Sequence, residues 1–180
     1  MKILFLIISC STGLICLALA FLLGMKPRLK NAPRLAREPR LVGTIVGAGC
    51  LVWAAYYGVQ MLEGDLEKFR IYVWCLVPVI IVLSYFLLDY INARVLGGLL
   101  TLCANHLING AFVFDVPFRG FYSILCLLLG VFGMVGLGLP WRYRDLVEQS
   151  NKKDAVGKTC LAVFGIIGIA LLTMPWAARL

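Results

Sequence analysis

Long apolar stretches dominate the chain, at residues 3–23, 41–62, 71–88, 95–114, 120–139 and 155–175, with short polar segments between them. None alternates apolar and polar positions with the period of two that marks a barrel strand. Each is close to the ~20 apolar residues a helix needs to cross the hydrocarbon core of a bilayer. The pattern predicts an all-α polytopic membrane protein, a compact bundle of six transmembrane helices forming a single domain over residues 1–180. Two polar segments interrupt it, a basic connector at 25–40 and an interfacial loop at 140–154.

Composition agrees. Of 180 residues, 62% are hydrophobic and 14% charged, against about 45–50% and about 25% in soluble domains. The first stretch, with Lys2 before it and Ala18-Leu19-Ala20 near its end, has features of a signal peptide. Its apolar run exceeds the ~7–15 residues of a signal-peptide core, and Lys26, Arg28, Lys30, Arg34, Arg37 and Arg40 follow it. A retained helix is expected.

The net charge of +8 then sets orientation. With the N-terminus outside and every stretch crossing, twelve basic residues fall in inner segments and five in outer ones, as the positive-inside rule requires. Without the fourth crossing, residues 140–158 would carry five of those charges outside. Six crossings with both termini outside are therefore expected, and lipid rather than nucleic acid is the expected partner of the positive charge. Tyr85, Tyr90, Trp141 and Tyr143 are expected at the inner interface, and Tyr56, Tyr57, Tyr72, Trp74, Tyr122 and Trp176 at the outer one, where amphipathic rings favour the headgroup level. Trp53, near mid-helix, is expected to pack against a neighbour.

The basic connector repeats Pro-Arg-Leu at Pro27, Pro33 and Pro39. Polyproline II has three residues per turn, so a six-residue repeat would align Arg28, Arg34 and Arg40 along one edge and Leu29, Leu35 and Leu41 along another. Arg28, Arg34 and Arg40 are candidate contacts for anionic lipid at the inner face, each worth about 1 kcal/mol. A plain connector whose charge only sets topology is the competing reading. In the second loop Glu148 and Lys152 have the spacing of a helical ion pair, and Asp154 can cap the last helix.

Small residues allow close helix packing in membranes. Gly43 and Gly47, Gly97, Gly130, Gly133 and Gly136, and Gly165 and Gly168 are candidates for it, within the molecule or against a partner. Ala93, Gly97, Thr101, Asn105 and Asn109, four apart on the fourth stretch, predict a ridge that faces protein rather than lipid. Thr101, Asn105, His106 (the lone histidine) and Asn109 form a candidate polar intramembrane site, since such groups are functional hypotheses by default. Asp89, Arg94, Asp115 and Arg119 flank it. Hydrogen bonding between helices is the competing explanation. Pro78 frees the carbonyl of Trp74 and marks a place where a kink would open a cavity beside the fourth helix.

No catalytic set is legible: no H-E-x-x-H, no serine–histidine–acid group, no carboxylate pair. Cys10, Cys16, Cys50, Cys75, Cys103, Cys126 and Cys160 form no C-x-x-C pair, so no metal site or cofactor is expected, and the thiols read as packing residues. The stretch LDYINARVLGGLLTLCANHLING resembles small multi-pass bacterial inner-membrane proteins with no assigned activity. That resemblance implies a bacterial inner membrane. The expected function is a non-catalytic scaffold or accessory subunit packing through glycine-rich helix faces, with a membrane-protein partner or as a homo-oligomer. The alternative is a small transporter or lipid-handling protein with a polar site on helix four.

Overall fold

Backbone polar groups in hydrocarbon have no water to bond, so an apolar run satisfies them internally as a helix. The computed structural model describes residues 2–24, 40–62, 64–87, 91–152 and 154–177. These form α1 (Lys2–Gly24), α2 (Arg40–Gln60), a 3-10 turn (Gly64–Phe69), α3 (Arg70–Leu87), α4 (Ile91–Val113), α5 (Arg119–Gly138), α6 (Pro140–Lys152) and α7 (Asp154–Ala177). Six of the seven helices, all but α6, are long and apolar enough to cross a membrane. The protein is an all-α helical bundle with the composition of a multi-pass membrane protein. The fourth crossing begins at Ile91, a turn earlier than the apolar run alone indicated, because Asn92 and Arg94 continue the helix as its first, polar turn.

The chain's breaks have local causes. Arg70 donates to the Leu62 carbonyl at 3.1 Å and pairs with Glu67 at 3.1 Å, closing the α2–α3 corner. Between α4 and α5 the backbone turns through two left-handed residues, Asp115 (φ 51) and Phe118 (φ 56). Val116, 2% exposed, plugs the turn into the core. Pro140 ends α5 and opens α6, a position where its missing N–H costs nothing.

Helix α4 packs most extensively on α5, and α1 on α7; α2 lies against α4, and α3 against α2. The core between the first four of these is apolar, with Phe5, Leu100, Leu107, Leu129 and Leu171 buried. Cys16 and Cys126 are buried there, and Cys103 is buried on α4, in the packing role expected of them. Tyr122, expected in the outer aromatic belt, is instead wholly buried. Its hydroxyl lies 3.1 Å from Ser9 Oγ, which donates to the Leu171 carbonyl at 2.6 Å, so Ser9 of α1, itself anchored on α7, supplies the polar partner that the headgroup region would have.

Contacts fix the direction of each helix. Gly43 adjoins Ile91 and Gly47 adjoins Val95, while Tyr57 reaches His106, so α2 and α4 run parallel. Gly97 adjoins Leu137 while Ala104 adjoins Gly130, and Gly13 adjoins Leu172 while Leu17 adjoins Gly168, so α4 opposes α5 and α1 opposes α7. The end of α1, the starts of α2, α4 and α7, the end of α5 and all of α6 thus share one end of the bundle. There Ser150 of α6 donates to the Leu23 carbonyl at 2.7 Å. The Tyr143 hydroxyl donates to the Phe132 carbonyl at 3.0 Å, and its ring stacks on Phe132 at 4.8 Å. Burial pushes that phenol's pKa up, so it stays protonated as a donor. Tyr143 thus packs α6 onto α5 at this end of the bundle. Residues 140–152, within the expected interfacial loop, form helix α6; Glu148 lies 3.6 Å from Arg144, and the Lys152 and Asp154 side chains lie outside the described residues. So do Arg28 and Arg34 and the side chain of Arg40.

Candidate functional site

The expected ridge on α4 divides in two. Gly97 and Thr101 do face protein: a Cβ on Gly133 of α5 would meet the Thr101 hydroxyl oxygen at 2.5 Å and the Gly97 carbonyl oxygen at 2.6 Å. Ala93 is buried. Asn105 and Asn109 are exposed, so only the first part of the row packs within the molecule. The reason is geometric. At about 100° per residue, each four-residue step advances about 40°, so the row turns by about 160° from Ala93 to Asn109. It leaves the α5 interface and emerges on an open flank.

His106 faces α2 instead. Its Nδ1 lies 2.6 Å from the Tyr57 hydroxyl, and the Trp53 ring stands edge-on at 6.1 Å. Trp53 packs against a neighbour as expected. Tyr57, read from sequence as an interface residue, is the histidine's partner. The only sequence signal for that role was the i, i+4 spacing that puts Trp53 and Tyr57 on one face. The polar site therefore separates into a paired histidine on the α2 side and two asparagines on the open side.

The flanking charges do not converge on it. Asp115 pairs with Arg119 at 2.9 Å in the α4–α5 turn, both largely exposed. Asp89 lies outside the described residues. Arg94, at the opposite end of α4, reaches the Leu137 carbonyl only at 3.4 Å, and among the described residues its buried Nε finds no acceptor.

Arg94 stands at one end of an apolar groove of about 350 Å³ between α2, α3 and α4, closed on one side by Leu137 of α5. Gly47, Ala54, Ile81, Gly98 and Leu102 contribute to its walls. Ile81 and Ser84 come from the segment of α3 just after Pro78, so a cavity beside α4 exists where the proline pointed. Thr101 lines it too, but its hydroxyl donates to the Gly97 carbonyl at 2.9 Å, which satisfies that group within the helix. Arg94, Gly98, Thr101, Asn105 and Asn109 share an arc of about 80° on α4: the first three lie in the groove, the last two on the open flank beyond it.

The glycines are mostly spent inside the molecule. Gly43 and Gly47 admit α4, Gly97 and Gly133 admit each other's helices, Gly130 sits against Ala104, and Gly168 against Leu17 and Gly13. Gly165 has nothing within 4 Å of where a Cβ would stand, so its lack of a side chain is not what lets another helix approach. Among the described residues no His, Cys, Asp or Glu cluster has the makings of a metal site. No protein-family model, curated protein or solved structure matches this chain.

Proposed function

We propose that this protein is a non-catalytic scaffold or accessory subunit of a bacterial inner membrane, with both termini outside, and that it docks a partner transmembrane helix along Asn105 and Asn109. One observation carries the reading: both asparagines are exposed on a helix long and apolar enough to cross a membrane. They stand about 21 and 27 Å along a helix about 35 Å long, within a hydrocarbon core of ~30 Å centred on it. An amide left in hydrocarbon without a hydrogen bond is costly. A second helix offering a donor and an acceptor removes that cost, and a second copy of this chain offers both. The glycine faces, engaged internally, leave this flank as the docking element. His106, already bonded to Tyr57, belongs to the architecture.

The test compares wild type with N105L/N109L in mild detergent, reading helical content and the mass of the assembly. Retained helicity with loss of the partner polypeptide is expected. An assembly of unchanged mass and composition overturns the reading. A small transporter or lipid-handling role is the second reading, favoured by the groove that Arg94 overlooks; it requires a flux that fails in H106A or N105L at unchanged protein level.

A further inference from the structure

Independently of the docking flank, we infer that the groove between α2, α3 and α4 holds one acyl chain of a phospholipid, whose phosphate is bound by Arg94. Shape, length and charge each support this.

The groove runs from Ile91 to Leu102 on α4 and from Gly43 to Ala54 on α2, which is about 17 Å of helix on each. One leaflet of the hydrocarbon core is about 15 Å deep. The groove therefore spans a single leaflet, the depth over which an acyl chain runs. Its volume of about 350 Å³ is at the lower end of the ~300–1,000 Å³ of small-molecule sites.

Arg94 sits about one turn into α4, at the border between headgroups and hydrocarbon, where long cationic side chains extend toward the interface. Among the described residues its Nε is buried without an acceptor, and its Nη1 contact to the Leu137 carbonyl is long, at 3.4 Å. Guanidinium binds phosphate through paired N–H donors. A phosphodiester at the mouth of the groove supplies the missing acceptor, and its attached chain enters the apolar walls. No carboxylate of a described residue is paired with Arg94 to compete for it.

Two variants separate the chain site from the phosphate site. R94Q removes the cation and keeps a polar side chain. G98L fills the groove: a Cβ at Gly98 meets only Leu137 Cδ2, at 3.6 Å, so the added side chain extends into the groove without displacing backbone. The full-length protein, exchanged into detergent and challenged with phosphatidylglycerol or with diacylglycerol of the same chains, is assayed for retained lipid by mass spectrometry. Wild type is expected to retain phosphatidylglycerol about tenfold better than diacylglycerol, in line with a hydrogen bond to a charged group. R94Q is expected to lower phosphatidylglycerol to the diacylglycerol level, and G98L to lower both. Thermal melting of each variant confirms that it is folded; should G98L fail to fold, A54L, at the other wall, replaces it. Equal retention of the two lipids by wild type, retention unaffected by R94Q, or retention unaffected by the groove-filling variant each overturns the inference.

Discussion

Gly97 and Gly133 hold α4 and α5 together by what they lack: a Cβ on either would come within 2.6 Å of the other's carbonyl oxygen. Both obstacles are backbone, so no side chain can swing aside. Replacing Gly133 with alanine is expected to force the helices apart and cost about 1–3 kcal/mol, the usual range for overpacking. Gly165→Ala, where nothing lies within 4 Å, is expected to be neutral or slightly stabilising, because alanine is the better helix former. Melting of the two variants in detergent checks the pair, and equal effects would contradict the crossing.

Tyr57 and His106 form a polar clamp between α2 and α4. A double-mutant cycle with Tyr57→Phe and His106→Ala is expected to give a coupling of about 0.5–2 kcal/mol, the range for contacting partners whose hydrogen bonds cross membrane helices. Each single change is expected to lower stability modestly and leave the assembly mass unchanged. Additive effects in the cycle would show that the bond contributes nothing to stability.

Ser9 and Tyr122 behave differently, because their hydroxyls are fully buried. Ser9→Ala takes away the oxygen beside the Tyr122 hydroxyl and leaves it only the weaker thiol of Cys126, and a poorly satisfied buried hydroxyl costs about 1 kcal/mol. Tyr122→Phe removes that hydroxyl and leaves Ser9 bonded to Leu171, so it is expected to cost less. Thermal midpoints of the two variants give the order, and the reverse order contradicts it.

Helix direction predicts sidedness. Gln149 of α6 and the basic connector between α1 and α2 are expected on the same side of the membrane, opposite Phe118. Single added cysteines at Gln149, Arg34 and Phe118, labelled with an impermeant reagent in intact cells, are expected to react only at Phe118. Reaction at Gln149 but not at Arg34 would mean that one of the intervening helices fails to cross.

The crossings were legible in the sequence because burial in lipid demands an unbroken apolar run, and charge bias then selected six. Which face of each helix meets protein was only half legible. The four-residue spacing from Ala93 to Asn109 marked a polar row correctly, but a row that turns by about 40° per step stays on one interface only briefly. Gly97 and Thr101 therefore met α5 while Asn105 and Asn109 did not. Tyr122 looked like an interface ring by its position along its segment; its partner, Ser9 of α1, lies 113 residues away. The groove at Arg94 needed three helices to converge, and only Pro78 hinted at it.

The exposed amides of α4 make the central claim most directly accessible to measurement. A photo-crosslinking residue placed at Asn105 is compared with one at Ile124, which is 57% exposed on α5 and carries no polar row. Irradiated in native membranes, position 105 is expected to give a discrete protein adduct and position 124 only lipid adducts. Lipid adducts alone at both positions would contradict the docking flank.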